Sequence, residues 1–134
     1  MPTDRVDKLP LKQPEDIVRM RQAVRERAVA LAFSLVDQTK IVTAASELGR
    51  NTVVYGGGGH VDITEVREGG RTGLRLAFVD QGPGIADVER ALTDGFTTGN
   101  GLGLGLGGAR RLSNEFSIDS RPGAGTRITI TRWR

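Results

Sequence analysis

All nineteen glycines of this chain fall at position 49 or later. Glycine weakens a helix interior by roughly 0.5–1 kcal/mol relative to alanine and moves easily into positive φ. The first third therefore reads as helical scaffold, and the remainder as strands joined by close-fitting loops. The glycines are densest in Gly101-Leu102-Gly103-Leu104-Gly105-Leu106-Gly107-Gly108, which leads into Ala109-Arg110-Arg111-Leu112. Alternate glycines remove Cβ atoms and let backbone N–H groups approach a ligand closely. A helix beginning there adds unsatisfied N–H groups and the positive end of its dipole. Together these make an anion cradle, for which phosphate is the usual occupant. The three leucines argue against a flexible linker, which has no use for them in solvent. A tight loop packed beneath a sheet is the plainer reading of the same residues.

The other segments follow from periodicity and turn chemistry. Residues 5–11 suit an edge strand. Pro14 fits the first turn of a helix, with Glu15 and Asp16 complementing its positive end. Ile17, Met20, Val24, Ala28 and Leu31 then recur at helical spacing to about Phe33. Ser34-Leu35-Val36-Asp37 has capping-box spacing and opens a second helix to about Tyr55, which Gly56 to Gly59 stop. Alternation at Val61, Ile63 and Val66, a Glu68-Gly69-Gly70-Arg71 turn, and Leu74, Leu76 and Phe78 predict a β-hairpin. A short helix over 86–92, a Gly/Thr-rich stretch, the glycine run and a third long helix to about Glu115 come next. Strands over 116–120 and 126–133, around Arg121-Pro122-Gly123-Ala124-Gly125, close the chain. Without βαβ regularity, the expected fold is α+β: a two-layer sandwich of a mixed β-sheet with three main helices on one face.

Composition narrows the function classes. At 134 residues the chain is expected to be one domain, and with 4% aromatic residues its core must be aliphatic. There is no cysteine and one histidine, His60, so neither a disulfide framework nor a zinc site is expected, and an intracellular compartment fits best. No apolar run approaches membrane-spanning length, and Met1-Pro2-Thr3-Asp4-Arg5 lacks a signal-peptide core. The expectation is a cytoplasmic protein with no membrane partner. The net charge of +3 comes from arginines interleaved with acids, without a basic block or stacking aromatics, so no nucleic-acid partner is expected either.

Two further constellations can carry chemistry. On the second helix Ile41, Ala45, Leu48 and Thr52 form one stripe that should face the core, while Glu47 and Asn51 share a face rotated roughly 100° or more from it. Beside a nucleotide, a carboxamide oxygen can ligate Mg²⁺, which prefers hard oxygen donors. A carboxylate one turn away can accept a hydroxyl proton or orient the nucleophile. A solvated Glu–Asn pair is the plainer alternative. Asp80-Gln81-Gly82-Pro83-Gly84 follows the strand ending at Val79. An aspartate leaving a buried strand can accept a hydrogen bond from the amino group of a base, although Pro and Gly would also serve a bare turn.

Taken in order, Glu47-x-x-x-Asn51, Asp80-x-Gly82-x-Gly84, Gly101-x-Gly103-Leu104-Gly105-Leu106 and Gly123-x-Gly125-Thr126 resemble the GHKL ATP-binding fold of histidine kinases, DNA gyrase, heat-shock chaperones and MutL, over about residues 37–131. No phosphoacceptor-histidine dimerisation domain accompanies them, which is the minimal form of bacterial anti-sigma factor serine kinases. Within that group, the stretch from Val36 to Leu48, Asp80-Gln81-Gly82-Pro83-Gly84-Ile85, and Asp94-Gly95-Phe96-Thr97-Thr98-Gly99 look like the RsbT-type switch kinases of the stressosome.

The resemblance implies ATP and Mg²⁺ as cofactors, with Asn51 as the metal ligand and Glu47 as catalytic base or serine-orienting group. It assigns Asp80 to the adenine amino group, with Gly82 in the same motif, Gly84 leaving room for the ring and Thr126 supporting the contact. Gly103 and Gly105, within the Gly101–Leu104–Leu106 run, would approach the phosphates. The segment from about Thr93 to Gly101 would be a short ATP lid, with Thr97 and Thr98 as phosphate donors. It further implies serine/threonine kinase activity toward STAS-domain scaffold or antagonist proteins, and a downstream effector, a phosphatase or other signalling enzyme, engaged on release. The rival within the same fold is an anti-sigma factor that sequesters a sigma subunit. A Rossmann reading of Gly103, Gly105 and Gly108 fails, because a lid precedes them and no second strand with an acid about 20 residues on follows. A P-loop is absent, since no Gly-Lys-Ser/Thr occurs.

Overall fold

The computed structural model describes residues 6–82, 84 and 106–134. Its elements are β1 (Val6–Leu11), α1 (Pro14–Ala30), α2 (Leu35–Val54), β2 (Gly59–Glu68), β3 (Arg71–Asp80), α3 (Leu106–Arg111), β4 (Glu115–Ser120) and β5 (Thr126–Trp133). The strands form one sheet in the order β1-β2-β3-β5-β4, with α1 and α2 against one face, the expected α+β sandwich. One detail differs: all four described pairings are antiparallel, where a mixed sheet was expected. The cause is the pair α1–α2. Two helices return the chain to the sheet end it left, so β1 and β2 must run antiparallel, whereas a single crossover helix would have made them parallel. The β2–β3 hairpin turns on Gly69 and Gly70, both at positive φ (56° and 80°), as a two-residue turn of this kind requires.

The helix starts match the sequence signals. Asp16 reaches back to accept the N–H groups of Lys12 (2.9 Å) and Gln13 (3.2 Å), and these bonds hold its carboxyl below the ordinary range. Ser34 Oγ accepts the Asp37 N–H (3.1 Å) at the start of α2. Helix ends match less well. α1 stops at Ala30 rather than near Phe33, because Ala32 turns left-handed (φ 62°) and the Phe33 N–H returns to the Ala28 carbonyl (3.0 Å). The described part of α3 covers six residues and ends at Arg111, short of the expected end near Glu115. Beyond it the Asn114 N–H bonds the Thr131 carbonyl (2.9 Å) and its side chain accepts from Trp133 N (2.7 Å), so the chain joins β5 as a strand before another turn can form. The short helix expected over 86–92 lies outside the described residues.

The core is aliphatic apart from Phe33 and Phe78. Met20, Val24 and Ala28 of α1 and Ile41, Ala45 and Leu48 of α2 meet Val61, Ile63, Leu74, Leu76, Phe78, Ile128 and Ile130 of the sheet, closed at one side by Leu106 and Ala109. On the opposite sheet face Trp133 is buried, donates from Nε1 to Glu115 (2.8 Å) and carries the Arg71 guanidinium 4.0 Å above its ring. No described helix is long and apolar enough to cross a membrane.

Polar ties cross the layers at Arg27 of α1 with Asp7 of β1, and between α2 and β5. Arg132 on β5 donates to Asp37 Oδ1 from Nη2 (2.7 Å) and Nε (3.2 Å), and from Nη1 to the Leu112 carbonyl (2.9 Å). Those bonds, more than the adjacent positive charge, hold the Asp37 carboxyl below the ordinary range. A depressed folded-state pKa contributes stability that is present above the unfolded value and lost as pH falls through the folded one. Asp37→Asn should therefore lower unfolding free energy by about 1–3 kcal/mol at neutral pH, the scale of a hydrogen bond to a charged group. Below about pH 4 the two proteins should converge. Urea unfolding midpoints across pH check this; a gap that persists in acid would place the effect elsewhere.

Candidate active site

β3 ends at Asp80, two residues beyond the core residue Phe78 and on the same, helix-side face of the sheet. Register places Asp80 between Gly59 of β2 and Thr126 of β5, and Thr126 opposite Ser120 of β4. This polar row sits directly above an apolar one made by Val61, Phe78, Ile128 and Ile118. The Asp80 carboxylate accepts the Gly82 N–H (2.9 Å) and a backbone N–H from Thr126. Burial outweighs both and raises its pKa above the ordinary value. Such a carboxylate is an acceptor partly shielded from bulk water, suited to a donor that arrives with a ligand.

Backbone, rather than side chains, encloses Asp80. The Gly56 N–H closes the end of α2 on the Asn51 carbonyl (2.9 Å), and a Cβ at residue 56 would lie 2.5 Å from Asp80 Cγ. A Cβ on Gly82 would fall 2.6 Å from the Gly56 oxygen, and one on Gly125 would fall 2.3 Å from the Asp80 carbonyl. All are closer than atoms can approach without movement. A cleft of about 190 Å³ lies at this end of the sheet, lined by Asp80, Gly125, Thr126 and Arg121 and also by Val79, Asp119 and Arg127, which point to the face opposite the Asp80 carboxylate. Thr126 is 8% exposed, and its Oγ1 lies 2.8 Å from Ser120 Oγ.

Glu47 and Asn51 lie on α2, about two and a half and one and a half turns before Gly56. Both are half-buried, beside the stripe of Ile41, Ala45, Leu48 and Thr52, which is buried as expected. α2 thus leads from the Glu47–Asn51 face into the wall of the Asp80 enclosure. Asp80, Gly82, Gly84 and Thr126 gather at one end of the sheet. Leu106, one of the three leucines of the glycine run, is 1% exposed in the core. Thr97, Thr98, Gly101, Gly103, Leu104 and Gly105 lie outside the described residues.

Sequence reasoning took Gly56 only as a helix stop and did not single out Ser120. Four consecutive glycines exceed what stopping a helix needs, and that surplus was the available signal for Gly56. Ser120 carries no local signal, because its relation to Thr126 arises from strand register.

Residues 36–133 match the family described as histidine kinase-, DNA gyrase B- and HSP90-like ATPases, and the chain belongs to that family. Among its relatives is the serine/threonine-protein kinase RsbT of Bacillus subtilis (strain 168), 48% identical over 118 residues that cover 88% of this chain and 89% of that protein. The anti-sigma F factor of Bacillus licheniformis is 35% identical over 129 residues, 91% of this chain and 86% of that protein. Of solved structures, the RsbU and RsbW domains of a Mycobacterium tuberculosis protein superpose with a TM-score of 0.64 at 21% identity. That match covers 99% of this chain and 33% of the other. The catalytic domain of the histidine kinase ThkA gives 0.53 at 16% identity, covering 96% of this chain and 95% of that domain. The two structures establish the fold alone. The sequence relatives place the chain in the serine/threonine-protein kinase branch that RsbT represents.

Gly84 tests how tightly the enclosure is built. It has φ 77°, and a Cβ there would sit 2.1 Å from the Arg121 carbonyl, whereas Gly123, at φ 78°, has open space around it. Gly123→Ala should lose only the positive-φ penalty, about 1 kcal/mol. Gly84→Ala adds a backbone clash and should lose at least about 2 kcal/mol. Equal losses in denaturant unfolding would show that the apposition of Gly84 and Arg121 is not maintained.

Proposed function

We propose that this chain is a Mg²⁺-dependent protein serine/threonine kinase that transfers the γ-phosphoryl group of ATP to a Ser or Thr of a small STAS-domain protein. It would act as one domain and as the mobile partner in a stress-signalling switch of the stressosome kind. The observation that carries this reading is α2 itself. One helix bears a carboxylate and a carboxamide on a shared face and leads, at Gly56, against the half-buried Asp80. The glycine-walled space around Asp80 suits a flat ring that offers an amino donor, and the half-buried Asn51 is a hard oxygen donor of the type Mg²⁺ accepts.

In this reading Asp80 accepts a hydrogen bond from the adenine amino group, the surrounding backbone holds the ring, and Thr126 supports that contact. Asn51 would ligate Mg²⁺, which, when bound, neutralises phosphate charge. Backbone N–H groups of Gly101, Gly103 and Gly105 would meet the phosphates, with Thr97 and Thr98 as further donors. Glu47 accepts the proton of the substrate hydroxyl as its oxygen attacks the γ-phosphorus, the bond to the bridging oxygen breaks, and ADP leaves. Phosphoryl transfer asks mainly for positioning and charge stabilisation, so one base and a fixed nucleotide suffice.

The 35% identity to an anti-sigma F factor favours a second reading, sequestration of a sigma subunit with kinase activity toward a STAS antagonist. Both place the protein in the cytoplasm and use protein partners.

Labelled ATP incubated with candidate STAS proteins should transfer label to Ser or Thr. Glu47→Ala should reduce transfer by about 10²- to 10⁴-fold, the scale of one general base, with folding intact. No transfer to any STAS protein, with wild type and Glu47→Ala indistinguishable, would refute the kinase reading. A sigma-factor pull-down that survives Glu47→Ala would favour the second. Asn51→Ala should impair Mg²⁺–ATP use far more than thermal stability, because Asn51 lies off the buried stripe. Asp80→Asn should chiefly weaken ATP binding in calorimetry, and unchanged affinity would remove Asp80 from the base site.

A further inference from the structure

Ser120 has the geometry to control what the Thr126 hydroxyl offers a ligand. Its Oγ lies 2.8 Å from Thr126 Oγ1 and donates toward the Gly125 carbonyl at 3.3 Å. A carbonyl oxygen only accepts, and each hydroxyl has a single proton. Both contacts are satisfied together in one arrangement: Ser120 donates to Gly125, and Thr126 donates to Ser120. The Thr126 proton is then committed to Ser120, and Oγ1 is left only its lone pairs, to accept.

Asp80, directly opposite Thr126 in the sheet register and on the same face, is likewise an acceptor. Paired residues of adjacent strands hold their Cβ atoms about 4.5–5.5 Å apart, within reach of one ligand edge. The row therefore offers two neighbouring acceptors and favours an edge that donates. An exocyclic amino group meets that demand, whereas a carbonyl oxygen in its place would face two lone-pair-bearing groups. Unpaired or opposed polar groups in a buried site discriminate far more strongly than a missing apolar contact.

We infer that Ser120 is a specificity-determining positioning residue, fixing Thr126 as an acceptor so that the site selects amino-bearing purine nucleotides over oxo-purine ones. The inference rests on the proposed base site at Asp80. Removing the Ser120 hydroxyl would free the Thr126 proton to point into the pocket and serve a carbonyl.

The test compares ATP with inosine 5′-triphosphate, which carries a carbonyl where ATP has its amino group, by calorimetry on the full chain. Wild type should prefer ATP by at least about tenfold. Ser120→Ala should shrink that preference about fivefold or more, chiefly by tightening the inosine nucleotide, and Ser120→Thr, which retains the hydroxyl, should restore it. A purely structural role for Ser120 would weaken both nucleotides together and leave the ratio alone, and that result overturns the inference. Thermal unfolding of each variant separates misfolding from altered choice, and Ser120→Thr provides a second folded variant. If ATP binding is also unchanged in Asp80→Asn, the base site itself is misplaced and the inference falls with it. ATP binding that depends on Asp80 with a ratio indifferent to Ser120 overturns the inference alone.

Discussion

A half-buried carboxylate at the end of a sheet strand is the constraint around which this molecule is arranged. Asp80 accepts backbone N–H groups from Gly82 and Thr126, yet burial still raises its pKa. The folded state therefore carries an unfavourable charge that packing elsewhere must offset. Side chains cannot line such a site without filling it. The walls are accordingly main chain: Gly56 from the end of α2, Gly82 from the loop after β3 and Gly125 from the turn before β5, each within a Cβ's distance of Asp80 or of one another. Three separate segments must converge to within an atom's width, and they can do so only if the sheet and helices behind them are rigid.

Rigidity comes from two anchors on α2. At its first turn, Asp37 is held by the Arg132 guanidinium of β5, which also grips the Leu112 carbonyl. At its last turn, Gly56 seats against Asp80 of β3. Between them Ile41, Ala45 and Leu48 are fully buried against both the sheet and α1. A helix fixed at both ends and along one stripe can neither slide nor rotate. The direction in which Glu47 and Asn51 face follows from how α2 as a whole is seated. Catalytic geometry depends on this kind of support, since groups off by an ångström lose much of their effect.

The sequence disclosed most of this frame where the signal was local. Pro14 with Asp16, Ser34 with Asp37, and Gly69-Gly70 marked element boundaries that the structure keeps, because caps and tight turns depend on nearest neighbours. Helical spacing likewise identified the buried stripes of α1 and α2. Features that depend on distant segments were hidden. The α1 end at Ala32 uses a left-handed alanine that no composition rule flags, and α3 is cut short by Asn114 bonding to β5. Arg132 and Ser120 look like ordinary strand residues until register sets one beside Asp37 and the other beside Thr126. Of the candidate site, Asp80, Gly82, Gly84 and Thr126 were legible as motif members and do gather. Gly56 was visible only as punctuation.

The division of labour between sheet and helix has a functional corollary. The proposed base end of the site is built from strand register and backbone walls, whereas Glu47 and Asn51 lie half-buried on the flank of α2 beside the core stripe. In the proposed reading, nucleotide choice and group transfer would be carried by different elements, joined through the α2 axis and Gly56. A fold organised this way can keep its nucleotide-dependent shape while the α2 face, or whatever protein surface meets it, diverges. Such a separation accounts physically for how one small domain can have relatives that include both a serine/threonine kinase and anti-sigma factors. In each, the sheet end would read the nucleotide, and the helix side would decide what that reading is used for.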